Sequence, residues 1–188
     1  AISWMTQNAS QGNPCRATGV RRSHQEAISM NVISDVTSHP GLLWFGNNLL
    51  SIPVSCRDSA DQLSVVEQWS PHGESPPMHV HASQDELFVV LQGRLRIAMG
   101  GRDLLLEAGQ TAMAPKGVVH TFRVESEEGA HFLAITRGED FERMIRKVSR
   151  PADYAGRPVP TAPTPEIIAA LTAACTESGI EIVGPPLA

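Results

Sequence analysis

Between residues 42 and 137 the chain is cut into short apolar runs, each soon closed by glycine or proline, and runs of that kind read as strands. Residues 94–99 alternate, with Leu95, Ile97 and Met99 on one face, as a half-buried antiparallel strand would. Gly93 before them can take the positive φ of a tight turn, and Gly100-Gly101 after them reads as a hairpin leading into 103–106. Gly109 and Pro115-Lys116-Gly117 bracket another short strand, followed by a run over 118–124. Upstream, residues 42–45, 49–54 and 63–69 read as the first strands, with Pro53 marking an edge or a bulge. Residues 131–136 read as the closing strand. The predicted fold class is all-β.

Chemistry-bearing side chains sit on these strands. His79 and His81 are one residue apart, so an extended backbone points both to the same face. Glu86 opens the next strand, 86–91, after a short polar link. His120 shares a face with Phe122 and Val124 on the run that ends the region. A lone buried histidine is most often a satisfied core residue. Three with this spacing, joined by Glu86, read instead as a metal-ligand set: His79, His81, Glu86 and His120. His72 and Glu74 read as a solvated turn, and nothing is assigned to His24 or His39.

The spacing also carries a resemblance. Gly73-x5-His79-x-His81-x4-Glu86-x6-Gly93 and Gly109-x5-Pro115-x-Gly117-x2-His120 resemble the paired motifs of the cupin superfamily. Nine fixed positions match, and fifteen residues, 94–108, separate the motifs. Each is a residue type of only a few per cent background usage. One departure is Val124, where the family pattern usually has asparagine; it touches a structural position and leaves the ligands intact. The resemblance implies a single cupin jelly-roll barrel (double-stranded β-helix) with short C-terminal helices packed outside. A tail with Gly138-Glu-Asp-Phe-Glu-Arg143, a proline-rich link and Gly179-Ile-Glu-Ile-Val-Gly-Pro-Pro186 is similar to quercetinase-like single-domain cupins.

Three neutral imidazoles and one carboxylate suit one divalent transition metal per subunit: Fe, Mn, Ni, Co, Cu or Zn. Four protein ligands leave one or two positions open on a five- or six-coordinate ion, and Glu86 is the ligand that could also act as base. The resemblance implies a metal-dependent dioxygenase that uses O2 on a flavonol-like or catechol-like small molecule. Two other readings need the same ligands: a non-redox isomerase, lyase or cyclase, and a non-catalytic small-molecule binder. Met78, Phe88, Met113, Phe122 and His131 are candidate walls of the substrate pocket, with barrel or core packing as the alternative for each.

Composition narrows the field further. The 188 residues make one domain with extensions: an N-terminal extension over 1–40, the barrel over 41–137 and a helical extension over 138–188. Net charge is −5, with no basic stripe carrying interleaved aromatics, which argues against nucleic-acid binding. No apolar run approaches the ~20 residues needed to span a bilayer. Cys15, Cys56 and Cys175 are widely spaced and form no disulfide framework, so a reducing cytoplasm is expected. Residues 1–40 are polar and without periodicity, too weakly patterned for a helix-turn-helix; Met30 is a candidate natural start. Phe141, Met144, Ile145 and Val148 fall at helical spacing. Thr164-Pro165-Glu166 reads as the start of a second helix. Exposed sheet edges, which single-domain cupins cover with a second subunit, lead us to expect a homodimer.

Overall fold

The computed structural model describes residues 41–188, so the readings placed on 1–40, including Met30 as a start, lie outside the described residues. Ten strands precede the first helix: β1 Leu43–Phe45, β2 Asn48–Val54, β3 Leu63–Ser70, β4 Met78–His81, β5 Glu86–Gln92, β6 Arg94–Met99, β7 Arg102–Glu107, β8 Thr111–Ala114, β9 His120–Val124 and β10 Ala130–Arg137. Helix α1, Asp140–Val148, strand β11, Arg150–Pro151, helix α2, Pro165–Glu177, and strand β12, Ile180–Gly184, follow. The strands form two antiparallel sheets, ordered β11-β1-β2-β3-β10-β5-β8 and β12-β4-β9-β6-β7. This is the all-β class read from the strand and turn pattern, in the jelly-roll form that the motif resemblance implies.

Alternation sets which side chains meet between the sheets. On β10, Phe132 and Ala134 point inward while His131 and Leu133 point out. On β6, Leu95 and Ile97 point inward as predicted. They pack with Phe88, Val90, Leu106, Phe122, Val124 and Phe132 as one apolar cluster. The departure at Val124 is a core position: the side chain is fully buried, its N–H donates to Glu74 O, and its carbonyl accepts from Gly73 N. Gly93 is required at its turn. Its φ is +83°, and a Cβ there would lie 2.6 Å from Gly129 O. Pro53 falls where the β2–β3 register shifts, between Ser51 and Val54, consistent with the bulge reading.

The C-terminal region does more than cover the outside. Ile180–Gly184, which the sequence pattern leaves as a closing segment, is strand β12 and pairs antiparallel with β4. Helix α1 is amphipathic, burying Phe141, Glu142, Met144 and Ile145. Phe141, Met144 and Ile145 pack with Leu50, Val66, Ala134 and Ile180 in a second apolar cluster, on the continuation of the same inward sheet face. Helix α2 is capped by Thr164, whose side chain accepts from Ile167 N, and begins with Pro165. It buries only Ala174 and Cys175 near its C-terminal end, so Ile167 and Ile168 stay exposed rather than forming core cover. Among the described residues no helix is long and apolar enough to cross a membrane.

Glu142 anchors α1 to the sheets. Its carboxylate is 1% exposed and accepts from Ser55 Oγ (2.7 Å), Cys56 N (2.8 Å), Ser64 Oγ (2.9 Å) and Arg146 Nε (2.8 Å). Burial alone would raise its pKa, but these donors win and hold it at about 2, against an ordinary 4.5. A carboxyl with a depressed folded-state pKa stabilises the fold above its unfolded value and loses that contribution as pH falls towards the folded one. The Glu142→Gln variant should therefore be about 2 kcal/mol less stable at pH 7 in urea unfolding. The stability gap between variant and parent should shrink as pH drops from 4.5 towards 2.

Candidate metal centre

The register of the five-stranded sheet puts three imidazoles on one inward patch. His79 and His81 alternate with outward residues on β4, and His120, first residue of β9, is the cross-strand partner of His79. Glu86 opens β5 in the other sheet, so the carboxylate reaches the imidazoles only because the two sheets close on each other. The four ligand atoms lie within 4.8 Å of one another. Glu86 Oε2 is 3.0 Å from His120 Nε2, 3.4 Å from His81 Nε2 and 4.0 Å from His79 Nε2. Donors bound at about 2.1 Å to one tetrahedral or octahedral ion stand roughly 3.0–3.4 Å apart, so the cluster is close to ligand spacing.

Hydrogen bonds outside the cluster orient two of the rings. His79 Nδ1 lies 2.8 Å from Pro77 O, and His120 Nδ1 lies 2.9 Å from Val118 O. Each carbonyl takes an Nδ1–H, so once the proton that His120 Nε2 donates to Glu86 is displaced by an ion, both Nε2 lone pairs would be directed at the centre. His81 is different: both of its ring nitrogens are buried without a hydrogen-bond partner. Its Nε2 is near Glu86 Oε2 but out of line for a hydrogen bond. An unpaired buried polar atom is costly, and an ion at the centre of the cluster would satisfy it. The donor set therefore fits a divalent metal.

Burial and mutual charge perturb the ligands. Burial pushes His79 down to about 4, against the pull of Glu86. Burial would raise Glu86, but the hydrogen bond from His120 and the nearby His81 hold it well below the usual carboxylate range. For His120, burial acts downward, yet the Glu86 and Val118 contacts leave it net raised.

The pocket candidates separate by face. Phe88 and Phe122 are buried inward; the Phe88 ring lies 6.2 Å from His120 and 6.0 Å from Phe122, forming an apolar floor. Met113 does not reach the site. Glu86 pairs in register with inward Ala114, so its neighbour Met113 faces out and is 53% exposed. His131 also belongs to the outer face, where it bonds Glu67 Oε1 at 2.8 Å and stacks on Trp69 at 4.5 Å. Met78 is one residue off the ligand face and packs against Gly184. His72 bonds Ser126 O, and Glu74 accepts from Asn48 Nδ2; neither joins the cluster. Ligand spacing does not reveal Phe141 and Gln84: Phe141 lies 5.8 Å from the His81 ring, and Gln84 is buried in the loop between His81 and Glu86. The one signal for Gln84 is its place inside the His81–Glu86 interval; Phe141 leaves none beyond helical periodicity.

The chain is similar to known proteins over the region that holds the cluster. Residues 65–136 match the family model described as a cupin domain. Quercetin 2,3-dioxygenase of Bacillus subtilis (strain 168) is 26% identical over 114 residues, 61% of this chain and 34% of that protein. An uncharacterized protein of Aquifex aeolicus (strain VF5) is 32% identical over 68 residues, 36% of this chain and 56% of that one. The chain thus spans only part of the length of both relatives. A solved RmlC-like cupin from Shewanella frigidimarina is 19% identical, with 57% of this chain and 96% of that chain covered at a TM-score of 0.47.

Two measurements test the centre. Elemental analysis of protein purified without affinity nickel should find about one transition-metal ion per chain, most of it lost on purification of His79→Ala and His120→Ala, whose three remaining ligands hold an ion more weakly, with far-UV circular dichroism unchanged. A free ion held at 100 times its Kd should stabilise the parent by about 2.7 kcal/mol, so a chelator should lower its melting temperature and leave those variants unmoved.

Proposed function

The chain belongs to the cupin superfamily through its domain at residues 65–136, and from that premise we propose that it is a metal-dependent dioxygenase acting on an enolisable aromatic of flavonol or catechol type. The observation that carries the reading is the convergence of three Nε2 atoms on Glu86, with the buried His81 Nε2 lacking any other partner. The relative named quercetin 2,3-dioxygenase supports the choice of substrate class and of O2.

His79, His81, His120 and Glu86 would hold the ion. When bound, a divalent transition metal supplies Lewis acidity towards an enolate oxygen and, if redox-capable, a path for electrons to O2. The chain supplies the rest. His79 is the ligand with the most exposed side chain, 14% against 4% or less for the others, so substrate enters from its side. Glu86 would accept the substrate hydroxyl proton on a carboxylate oxygen, a transfer that the ion would assist by lowering the pKa of the hydroxyl it binds. Phe88 and Phe122 close the floor of the site to water, which strengthens every charge interaction above them.

The test is oxygen uptake by metal-loaded protein presented with flavonols and catechols. Uptake matched to ring cleavage is expected, with Glu86→Gln keeping most of its metal while kcat drops about 10²–10⁴-fold. Turnover without O2, on protein whose native ion is zinc, would instead favour an isomerase, lyase or cyclase. Recovery of unchanged ligand after long incubation would leave a binding protein.

A further inference from the structure

Of the three imidazoles facing Glu86, His79 and His120 are steered by backbone carbonyls and His81 is not. The His81 backbone is secured: it pairs with Ile180 of β12, and its carbonyl accepts from Gly117 N at 2.9 Å. Its ring is secured by packing. His120 stacks on it at 5.4 Å with 17° between planes, and Phe141 meets it at 5.8 Å and 61°. An imidazole without a hydrogen bond can turn about χ2 and exchange the positions of its two nitrogens. With His79 also edge-on at 5.2 Å, rings on three flanks remove the space for that turn, and Phe141 is the one among them outside the ligand set.

Phe141 is held in place in its turn. Its backbone N–H donates to Gln84 Oε1 at 3.0 Å, and Gln84 Nε2 donates to Arg137 O at 3.1 Å. Gln84 is 2% exposed and lies in the short link from His81 to Glu86. Gly138 leaves it room: φ there is +109°, and an added Cβ would come within 2.8 Å of Gln84 Nε2. The link that joins two ligand strands therefore also receives the first turn of α1.

We infer that Phe141, set by Gln84, is a positioning residue for His81. It does by ring packing what the Pro77 and Val118 carbonyls do for the other two imidazoles. The inference rests on the metal reading of the cluster and extends the centre to a helix outside both motifs.

Cobalt(II) titration, followed by its visible bands, tests this in a double-mutant cycle. Phe141→Ala should weaken cobalt binding about 10–100-fold and alter the bands, the usual scale for loss of a ligand's supporting contact. His81→Ala retains three ligands and, titrated with excess cobalt, should still take up an ion at lower affinity. In that background Phe141→Ala should change neither affinity nor bands. If Phe141→Ala does not fold, Phe141→Leu should give the same pattern in smaller measure. Equal losses with and without His81 overturn the positioning role alone. Failure of the unaltered protein to take up cobalt overturns the metal reading together with this inference.

Discussion

One carboxylate facing three imidazoles across the gap between two sheets is the constraint on which the rest depends. Glu86 belongs to one sheet and the histidines to the other, so the cluster exists only in the closed jelly roll. Its geometry depends on register. His79 and His120 are direct partners, and a one-residue slip of β9 would turn His120 outward and bring Thr121 in. Forming the cluster also removes four polar groups from water, at a cost that hydrogen bonds only partly offset. The apolar floor of Phe88 and Phe122 makes that cost larger, because it excludes the water that would otherwise relieve it.

Two buried glutamates in this chain show how the donor set separates a structural carboxylate from one poised for a ligand. Glu142 and Glu86 are both almost inaccessible. Glu142 receives two serine hydroxyls, a backbone N–H and an arginine, so its charge is fully met within the protein. Glu86 has one aligned donor, His120, and faces a second imidazole whose nitrogens have no partner. The first arrangement is complete without any added group. The second gains from a cation, because coordination satisfies His81 and neutralises the carboxylate in one step.

Much of this is legible in the sequence. The period-2 alternation of 94–99 and the glycines at 93, 100 and 101 reported strands and turns correctly, because both signals are local. The His79–His81 spacing worked for the same reason: two residues apart on a strand means one face. Faces of strands that lacked such a pattern were harder. Met113 and His131 each sit beside an inward residue, Ala114 and Phe132, and only the pairing register says which of the two neighbours turns in. The role of Ile180–Gly184 was invisible for a different reason. Five residues at the end of a helical tail carry no sign of the distant strand with which they pair.

That pairing changes what the C-terminal segment is for. β12 runs beside the strand that carries two ligands, with Ile180 opposite His81 and Ile182 opposite His79. Ala82 N donates to Gly179 O, so the hydrogen bonding continues past the strand end into the link towards Glu86. α1 then seals the same corner with Phe141. The motifs bring the ligand atoms into one neighbourhood; the tail removes the freedom left to the strand and ring that the motifs do not hold. A jelly roll ending at Arg137 would keep all four ligands but leave β4 as a sheet edge, with unpaired backbone groups beside two of them. The chemistry is encoded locally in the two motifs, whereas the rigidity that chemistry needs comes from residues far along the chain.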